Sequence, residues 1–386
     1  MKILLANALV LYQDLLKQQD VLVSDGLISK IEKTISPSEA DTHIDCTSLS
    51  LLPGFFDIHT HGALGIDFNC ADADQVNQVS SFFLKKGVTS YLPTILTDTT
   101  QVMCRQLERL SNPALLKANP SIKGVHLEGP FLNAVYKGAM PEQLLKKPDI
   151  ALLHELYAAS RNTIKLLTIA PELPGALKII EEATSLGIRV SLGHSCASYE
   201  EAISAIQAGA VGTTHIMNAM KLLHMHDPAI LTAVLEHDCY AEMICDGFHL
   251  HPPIVRLLLK IKGYKRMIAV TDSISAAGCP DGFYTLGVNT VEVKNGDAKV
   301  VETSARAGST LTMDKALRNL ITYTNKNISQ LSTLFSSNAA AMLGLQDELG
   351  SIDIGKKADI IGLDDKASVK LVMSEGLIRY RGVNHV

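Results

Sequence analysis

The chain has 386 residues, 47% hydrophobic and 19% charged, with a formal net charge of −5. That length suits one large α/β barrel with an appendage, or two to three ordinary domains, and the apolar content is ample for a sizeable core. The mildly acidic balance gives no support for nucleic-acid or anionic-membrane binding, although a local basic pocket could still hold an anion.

Taken in chain order, Met1 to Asn7 is a short apolar start without a signal-peptide cleavage pattern. Residues 1 to 53 read as short strands and turns. Val21–Val23 and Leu27–Ile31 flank Ser24-Asp25-Gly26, and Asp-Gly between apolar runs is a hairpin signal. The far end is similar, with strand-like Ala358–Leu363 and Val369–Met373 followed by a Glu375-Gly376 turn. The expectation is one small β domain of residues 1–53 and 346–386 around a different unit, residues 54–345.

That middle repeats a strand-then-helix rhythm. Candidate strands are Gly54–His59, Val88–Pro93, Ile122–Glu128, Lys165–Ala170, Ile188–Gly193, Ala210–His215, Tyr240–Asp246 and Met267–Asp272. Helical patterns lie between most of them; Ser198 and Glu201 form a capping box ahead of Ala202, Ile203, Ala205 and Ile206. Eight such units favour a (β/α)8 barrel of the TIM type over an open sheet. A hairpin of Thr290–Val293 and Lys299–Thr303 about Asn295-Gly296 is expected before the last helix, Thr312–Thr324. The seven cysteines form no C-x-x-C pair, and no run of roughly 18 apolar residues occurs. Free thiols and a cytoplasmic protein without a membrane span are expected.

The polar residues fall at strand ends. His59 and His61 end the first, His126 and Glu128 the third, His194 follows the fifth, His215 ends the sixth and Asp272 the eighth. In a barrel these ends meet on the face that carries the chemistry. On a strand, residues two apart share a side, so His59 and His61 can reach one ion. Singly, each residue also has a structural reading: a core histidine, a buried ion-pair partner for Glu128, a helix cap for Asp272. Together they are a ligand set suited to zinc, iron or manganese with open positions.

The chain resembles the amidohydrolase superfamily, and within it the N-acetylglucosamine-6-phosphate deacetylase family. The stretches that carry the resemblance are Pro53–Gly62, His126–Leu132, Gly193–Ser195, Thr214–Met220, Asp246–His249, Thr271–Gly278, Gly308–Met313 and Gly350–Asp359. It covers nearly the whole chain, in order. The resemblance implies a metal-bearing barrel with a β-sandwich built from both termini, hydrolysing the N-acetyl group of an amino-sugar phosphate. It implies one or two divalent ions, one on Glu128, His194 and His215 and, where there are two, a second on His59, His61 and Asp272 with Glu128 bridging. Asp272 would be the catalytic base. Ala139, Asn218, Ala219, His226, His249, Arg306, Ala307 and Gly308 would line the substrate site, and a homodimer is implied. Strand four ends without a lysine, at Thr168-Ile169-Ala170-Pro171-Glu172, which argues against branches that bridge two metals through a modified lysine.

Two positions depart from the family pattern. His226 stands where the family carries an arginine that pairs with phosphate, often across the subunit boundary, and histidine lacks arginine's bidentate fork. Met140 stands where relatives carry His or Gln near the acetyl carbonyl. A different N-acyl amino sugar, such as the galactosamine epimer or an unphosphorylated sugar, is therefore the first alternative. A non-catalytic sugar-binding barrel is the second.

Overall fold

The structure is a computed structural model and describes residues 1–382. Eight parallel strands carry the middle of the chain: β1 (Phe55–Thr60), β2 (Val88–Leu96), β3 (Val125–Glu128), β4 (Ile164–Ile169), β5 (Arg189–Leu192), β6 (Ala210–Thr213), β7 (Tyr240–Ile244) and β8 (Met267–Val270). They pair in sequence order. The ring is drawn together where β8 meets β1: Thr60 bridges Ser273, and the Asp272 N–H donates to the His59 carbonyl at 2.9 Å. Strands covered on both faces read as unbroken apolar runs, and Met267-Ile268-Ala269-Val270 is fully buried.

A helix follows each strand: α1 (Ala73–Lys85), α2 (Thr100–Leu110), α3 (Ile150–Ala159), α4 (Ala176–Ser185), α5 (Tyr199–Gln207), α6 (Ala229–Glu236), α7 (Pro252–Lys262) and α8 (Met313–Thr324). The Ser198 side chain accepts from the Glu201 N–H, and Glu201 returns the bond to Ser198, so the capping box starts α5 where expected. One contiguous apolar core fills the barrel and the layer between strands and helices.

Both termini share a second, eight-stranded sheet. Its order is Leu377–Arg381, Val369–Ser374, Ile360–Leu363, Ser50–Pro53, Lys2–Tyr12, Leu15–Ser24 and Leu27–Glu32, with Thr42–Asp45 beside Lys2–Tyr12. It has an apolar core of its own, including Leu5, Val21, Leu51, Ile360 and Leu371. The Asp25-Gly26 and Glu375-Gly376 turns have left-handed backbones at both central residues, the twist that two-residue hairpins need. A Cβ on Gly376 would lie 2.5 Å from Gly26 Cα, so these turns pack backbone to backbone.

Two elements differ from expectation. The expected hairpin about Asn295-Gly296 forms, Asn289–Lys294 pairing antiparallel with Asp297–Val300, but a further strand, Gly282–Leu286, extends it to a three-stranded sheet, and its second arm ends at Val300 rather than Thr303. And α8 is not the last helix: Ile328–Leu331 and Ser337–Met342 follow it. Among the described residues no helix is long and apolar enough to cross a membrane.

Candidate metal centre and active site

At the C-terminal end of the barrel, four imidazoles and two carboxylates converge. Glu128, at the end of β3, stands in the middle. Its Oε1 lies 3.2 Å from His194 Nε2, 3.2 Å from His215 Nε2 and 3.4 Å from His59 Nε2, and its Oε2 lies 3.4 Å from His61 Nε2. Asp272 Oδ1 lies 3.2 Å from His61 Nε2 and 3.4 Å from His59 Nε2. The imidazoles also face one another: His194 and His215 Nε2 are 3.0 Å apart, and His59 and His61 Nε2 are 3.2 Å apart.

All six predicted ligands are thus brought together, and all are buried. They form two groups that share Glu128: His59, His61, Glu128 and Glu128, His194, His215. Ligand atoms at about 2.0–2.1 Å from one tetrahedral ion stand roughly 3.3 Å from each other, which matches these separations. Nitrogen atoms aimed at one another and at carboxylate oxygens have no better common partner than a cation. The donor set fits a divalent metal.

Electrostatics agree. Burial opposes ionisation of Glu128, yet His59, His194 and His215 hold its carboxyl well below the usual range. Burial likewise opposes Asp272, yet His59 and His61 bring it down to about 2. Burial pulls His59 towards neutrality, but the carboxylates of Asp272, Glu128 and Glu242 outweigh it and raise the imidazole well above its ordinary value. The buried carboxylates are held ionised by the imidazolium charge beside them, and a divalent cation would take the place of that charge.

The backbone pays for this convergence. His194, His215 and Asp272 have φ of +50°, +30° and +47°, left-handed values at which ordinary side chains are strained. Each strand ends in a sharp turn that swings its ligand over the barrel axis. Gly308, with φ +57°, passes so close that a Cβ would sit 2.7 Å from the Asp272 carbonyl oxygen.

Further contacts orient the ligands. His59 Nδ1 lies 2.9 Å from Glu242 Oε2, and His194 Nδ1 lies 2.9 Å from the Tyr136 carbonyl oxygen. Asp57 ties β1 to the end of β8, accepting from Thr271 Oγ1 at 2.6 Å and from the Thr271 N–H at 3.2 Å. Beneath the centre, His126 packs edge-on against His59, with ring centroids 4.6 Å apart. Its Nε2 is 2.8 Å from Thr168 Oγ1, which continues through Thr214 to Ser191. Burial first, and His59 beyond it, push His126 well below its ordinary value, so it is a neutral packing and hydrogen-bonding group. Sequence reasoning did not assign Glu242, Asp57 or this hydroxyl ladder. The available signal was a carboxylate inside an otherwise buried strand, as in Tyr240-Ala241-Glu242-Met243-Ile244.

A cavity of about 200 Å³ opens over the centre. Of the expected substrate residues, Ala139, Asn218, Ala219, His249, Arg306 and Gly308 line it, along with Leu96, Met140 and Leu286. His249 Nδ1 is 2.7 Å from Asp246 Oδ2, which leaves Nε2 for a ligand. Arg306 Nε donates to Asp297 Oδ1 at 3.0 Å, leaving the two terminal guanidinium nitrogens without that tie. The Asn218 N–H is committed to the His215 carbonyl at 2.9 Å. Two residues are not brought in: Ala307 is fully buried beneath the inserted sheet, and His226 lies exposed on the 224–227 turn.

Comparison with known proteins gives the family. A model of the Amidohydrolase family matches residues 50–379. An N-acetylglucosamine-6-phosphate deacetylase of Vibrio furnissii is 36% identical over 366 residues, covering 93% of this chain and 90% of its own. An N-acetylgalactosamine-6-phosphate deacetylase of Escherichia coli O157:H7 is 33% identical, covering 97% of this chain and 98% of its own. Among solved structures, a variant N-acetyl-D-glucosamine-6-phosphate deacetylase of Mycobacterium smegmatis, in complex with N-acetyl-D-glucosamine-6-phosphate, superposes with a TM-score of 0.90 at 29% identity. That match covers 98% of this chain and 99% of the other.

Proposed function

Since the chain belongs to the amidohydrolase family, among its N-acetylglucosamine-6-phosphate deacetylases, we propose that it cleaves the N-acetyl group of N-acetylglucosamine 6-phosphate to give glucosamine 6-phosphate and acetate. The observation that carries this reading is the meeting of His59, His61, Glu128, His194, His215 and Asp272 beneath one cavity, which all of them but His59 line. The family is metal-dependent. Glu128, His194 and His215 would hold one ion, and His59, His61 and Asp272 a second with Glu128 between. Imidazole with carboxylate favours zinc, with iron and manganese also suited to these donors. A divalent ion bound there lowers the pKa of water towards about 7 and polarises the acetyl carbonyl.

Asp272 is the catalytic base. Its carboxyl, held down to about 2, is ionised throughout the neutral range and can take the water's proton. Its position on the cavity wall, beside the ligands, suits it to hand that proton to the departing amino nitrogen. Met140 is a thioether and cannot polarise the carbonyl. His249, oriented by Asp246, and Arg306 are the sugar-phosphate contacts on this chain, with Ala139, Asn218, Ala219 and Gly308 shaping the wall and Ala307 backing it. His226 lies exposed away from this cavity and would meet substrate only if a homodimer brought the 224–227 turn of a second copy to it. The seven free cysteines support a cytoplasmic location. Residues 54–345 are read as the catalytic barrel and residues 1–53 with 346–386 as its companion.

The test is acetate release after metal reconstitution, comparing N-acetylglucosamine 6-phosphate with its galactosamine epimer and with both unphosphorylated sugars. Preference for the first is expected. The 33% identity to an N-acetylgalactosamine-6-phosphate deacetylase favours the epimer as the second reading. No acetate from any of the four refutes the proposal.

A further inference from the structure

Glu242 lies in β7 among Tyr240, Ala241, Met243 and Ile244, with a side chain wholly shut off from solvent. It touches neither the cavity nor the reacting atoms. Its Oε2 does two things at once: it accepts from His59 Nδ1 at 2.9 Å and from the His215 backbone N–H at 3.2 Å. Its own carbonyl accepts the Ile216 N–H at 2.9 Å. One side chain therefore grips a ligand from β1 and the strained turn that carries a ligand from β6.

The grip has a chemical consequence. With Nδ1–H of His59 committed to the Glu242 carboxylate, Nε2, which faces Glu128 and Asp272, is the nitrogen that would give up its proton to a cation. The other histidine of that pair has no such support, because His61 Nδ1 is buried without a partner among the described residues. The His194 imidazole is oriented independently, by the Tyr136 carbonyl. Among the described residues each half thus has one oriented imidazole, His59 through Glu242 and His194 through Tyr136, and one whose Nδ1 has no partner, His61 and His215. Glu242 holds the imidazole of the first half and reaches the second only through the His215 backbone.

We infer that Glu242 is a positioning residue that makes the His59–His61 half of the centre able to hold an ion. This rests on the metal-dependent reading above, but its test does not depend on which sugar is the substrate. Hydrogen-bonded partners of metal-bound histidines are worth roughly 10- to 100-fold in metal affinity. Two variants separate reach from charge. Glu242→Gln keeps the length, and its amide oxygen can stand where Oε2 stands. Glu242→Asp keeps the charge but is one methylene too short to serve both donors.

Ion content and affinity are read by zinc titration against a chromophoric chelator, in the wild-type and His59→Ala backgrounds. The wild-type chain takes up two ions. Glu242→Asp weakens the ion that His59→Ala removes by about 10- to 100-fold and the other, reached only through the His215 N–H, by less than about tenfold. Glu242→Gln stays within tenfold of wild type, and once His59 is alanine only that smaller effect of Glu242→Asp remains. Unchanged affinities in Glu242→Asp would overturn the inference. So would an equal loss in the His59→Ala background, which would make Glu242 a general packing residue, or a wild-type chain that binds one ion regardless of His59. Absence of deacetylase activity with these metal effects intact would refute the proposed reaction and leave the role of Glu242 standing.

Discussion

Replacing Asp272 with asparagine separates its chemistry from its structural role. The residue holds φ at +47°, a conformation that aspartate and asparagine tolerate better than other side chains with a Cβ. Its backbone bonds, from its own N–H to the His59 carbonyl and from the Ser309 N–H to its carbonyl, do not involve the carboxylate. The asparagine of an Asp272→Asn variant therefore fits the same turn, and its amide oxygen can remain near His61 Nε2, 3.2 Å from Oδ1 in the native chain. What is lost is the ability to carry a proton. General base catalysis contributes about 10²- to 10⁴-fold, which corresponds to about 2.7 to 5.4 kcal/mol of transition-state stabilisation. We expect kcat and kcat/KM to fall together by that factor, because proton transfer occurs only on the way to the transition state. Continuous detection of released acetate gives both constants, and metal analysis with a melting curve verifies that the folded, loaded protein is being compared. Turnover within tenfold of wild type, with metal content preserved, would remove Asp272 from the role of base.

Other consequences can be tested alongside. Stripping the metal with a chelator should lower the melting temperature, and restoring it at about a thousand times its Kd should return about 4 kcal/mol; an unchanged melting curve would contradict a cation-filled centre. Burial pushes the Asp57 carboxyl up to about 7, against the bonds from Thr271 and His59 that lower it. An unfolded aspartate titrates near about 3.9, so from about pH 4 to 7 the folded metal-free chain holds a proton that the unfolded chain has released, and stability falls as pH rises through that window. Asp57→Asn removes this dependence, so its stability relative to wild type should climb across that same window and then level off; a pH-independent difference by denaturant titration would refute it. Arg306→Ala should raise KM about tenfold for a 6-phosphorylated sugar with kcat nearly unchanged, the scale of one charge-assisted hydrogen bond. An equal change for the unphosphorylated sugar would show that Arg306 does not read the phosphate.

Much of this architecture was legible because barrel strands are covered on both faces, so each is an apolar run with its functional polar residue at or just beyond the end. Candidate strand Ile122–Glu128 was too long at its start. Ile122 makes only an isolated bridge to Tyr91, and Gly124 breaks the run with φ +141°. Strand Gly282–Leu286 was missed because it alternates exposed and half-buried residues on a surface sheet, without the continuous apolar signal of the barrel. The short helices after α8 are four and six residues long, too brief for helical periodicity to register. Glu242 was hidden for a different reason: its importance lies in which donors reach it from β1 and β6, and those contacts span 183 and 27 residues of sequence.

The same distinction explains why the reaction is more firmly written into the chain than the substrate. The six candidate ligands hang from the ends of five barrel strands, and each turn is fixed by its neighbours, so residue type and strand position suffice to place them. The cavity wall is assembled from loops instead. Gly138 brings its segment against His194, where a Cβ would lie 3.2 Å from the imidazole, and Asn289 of the inserted sheet holds the Ala139 carbonyl at 2.7 Å. Met140 and Leu286 then meet Leu96 in one apolar cluster at the edge of the cavity. The side chains of that cluster carry no N–H or O–H, so on this side of the site carbonyl activation by a side chain falls to the centre itself. Arg306, on the same cavity, already has its charge offset by Asp297. Loop sequence can drift in this way without disturbing six ligands anchored to the barrel, and a family of such chains can keep one reaction while its members part company over the sugar.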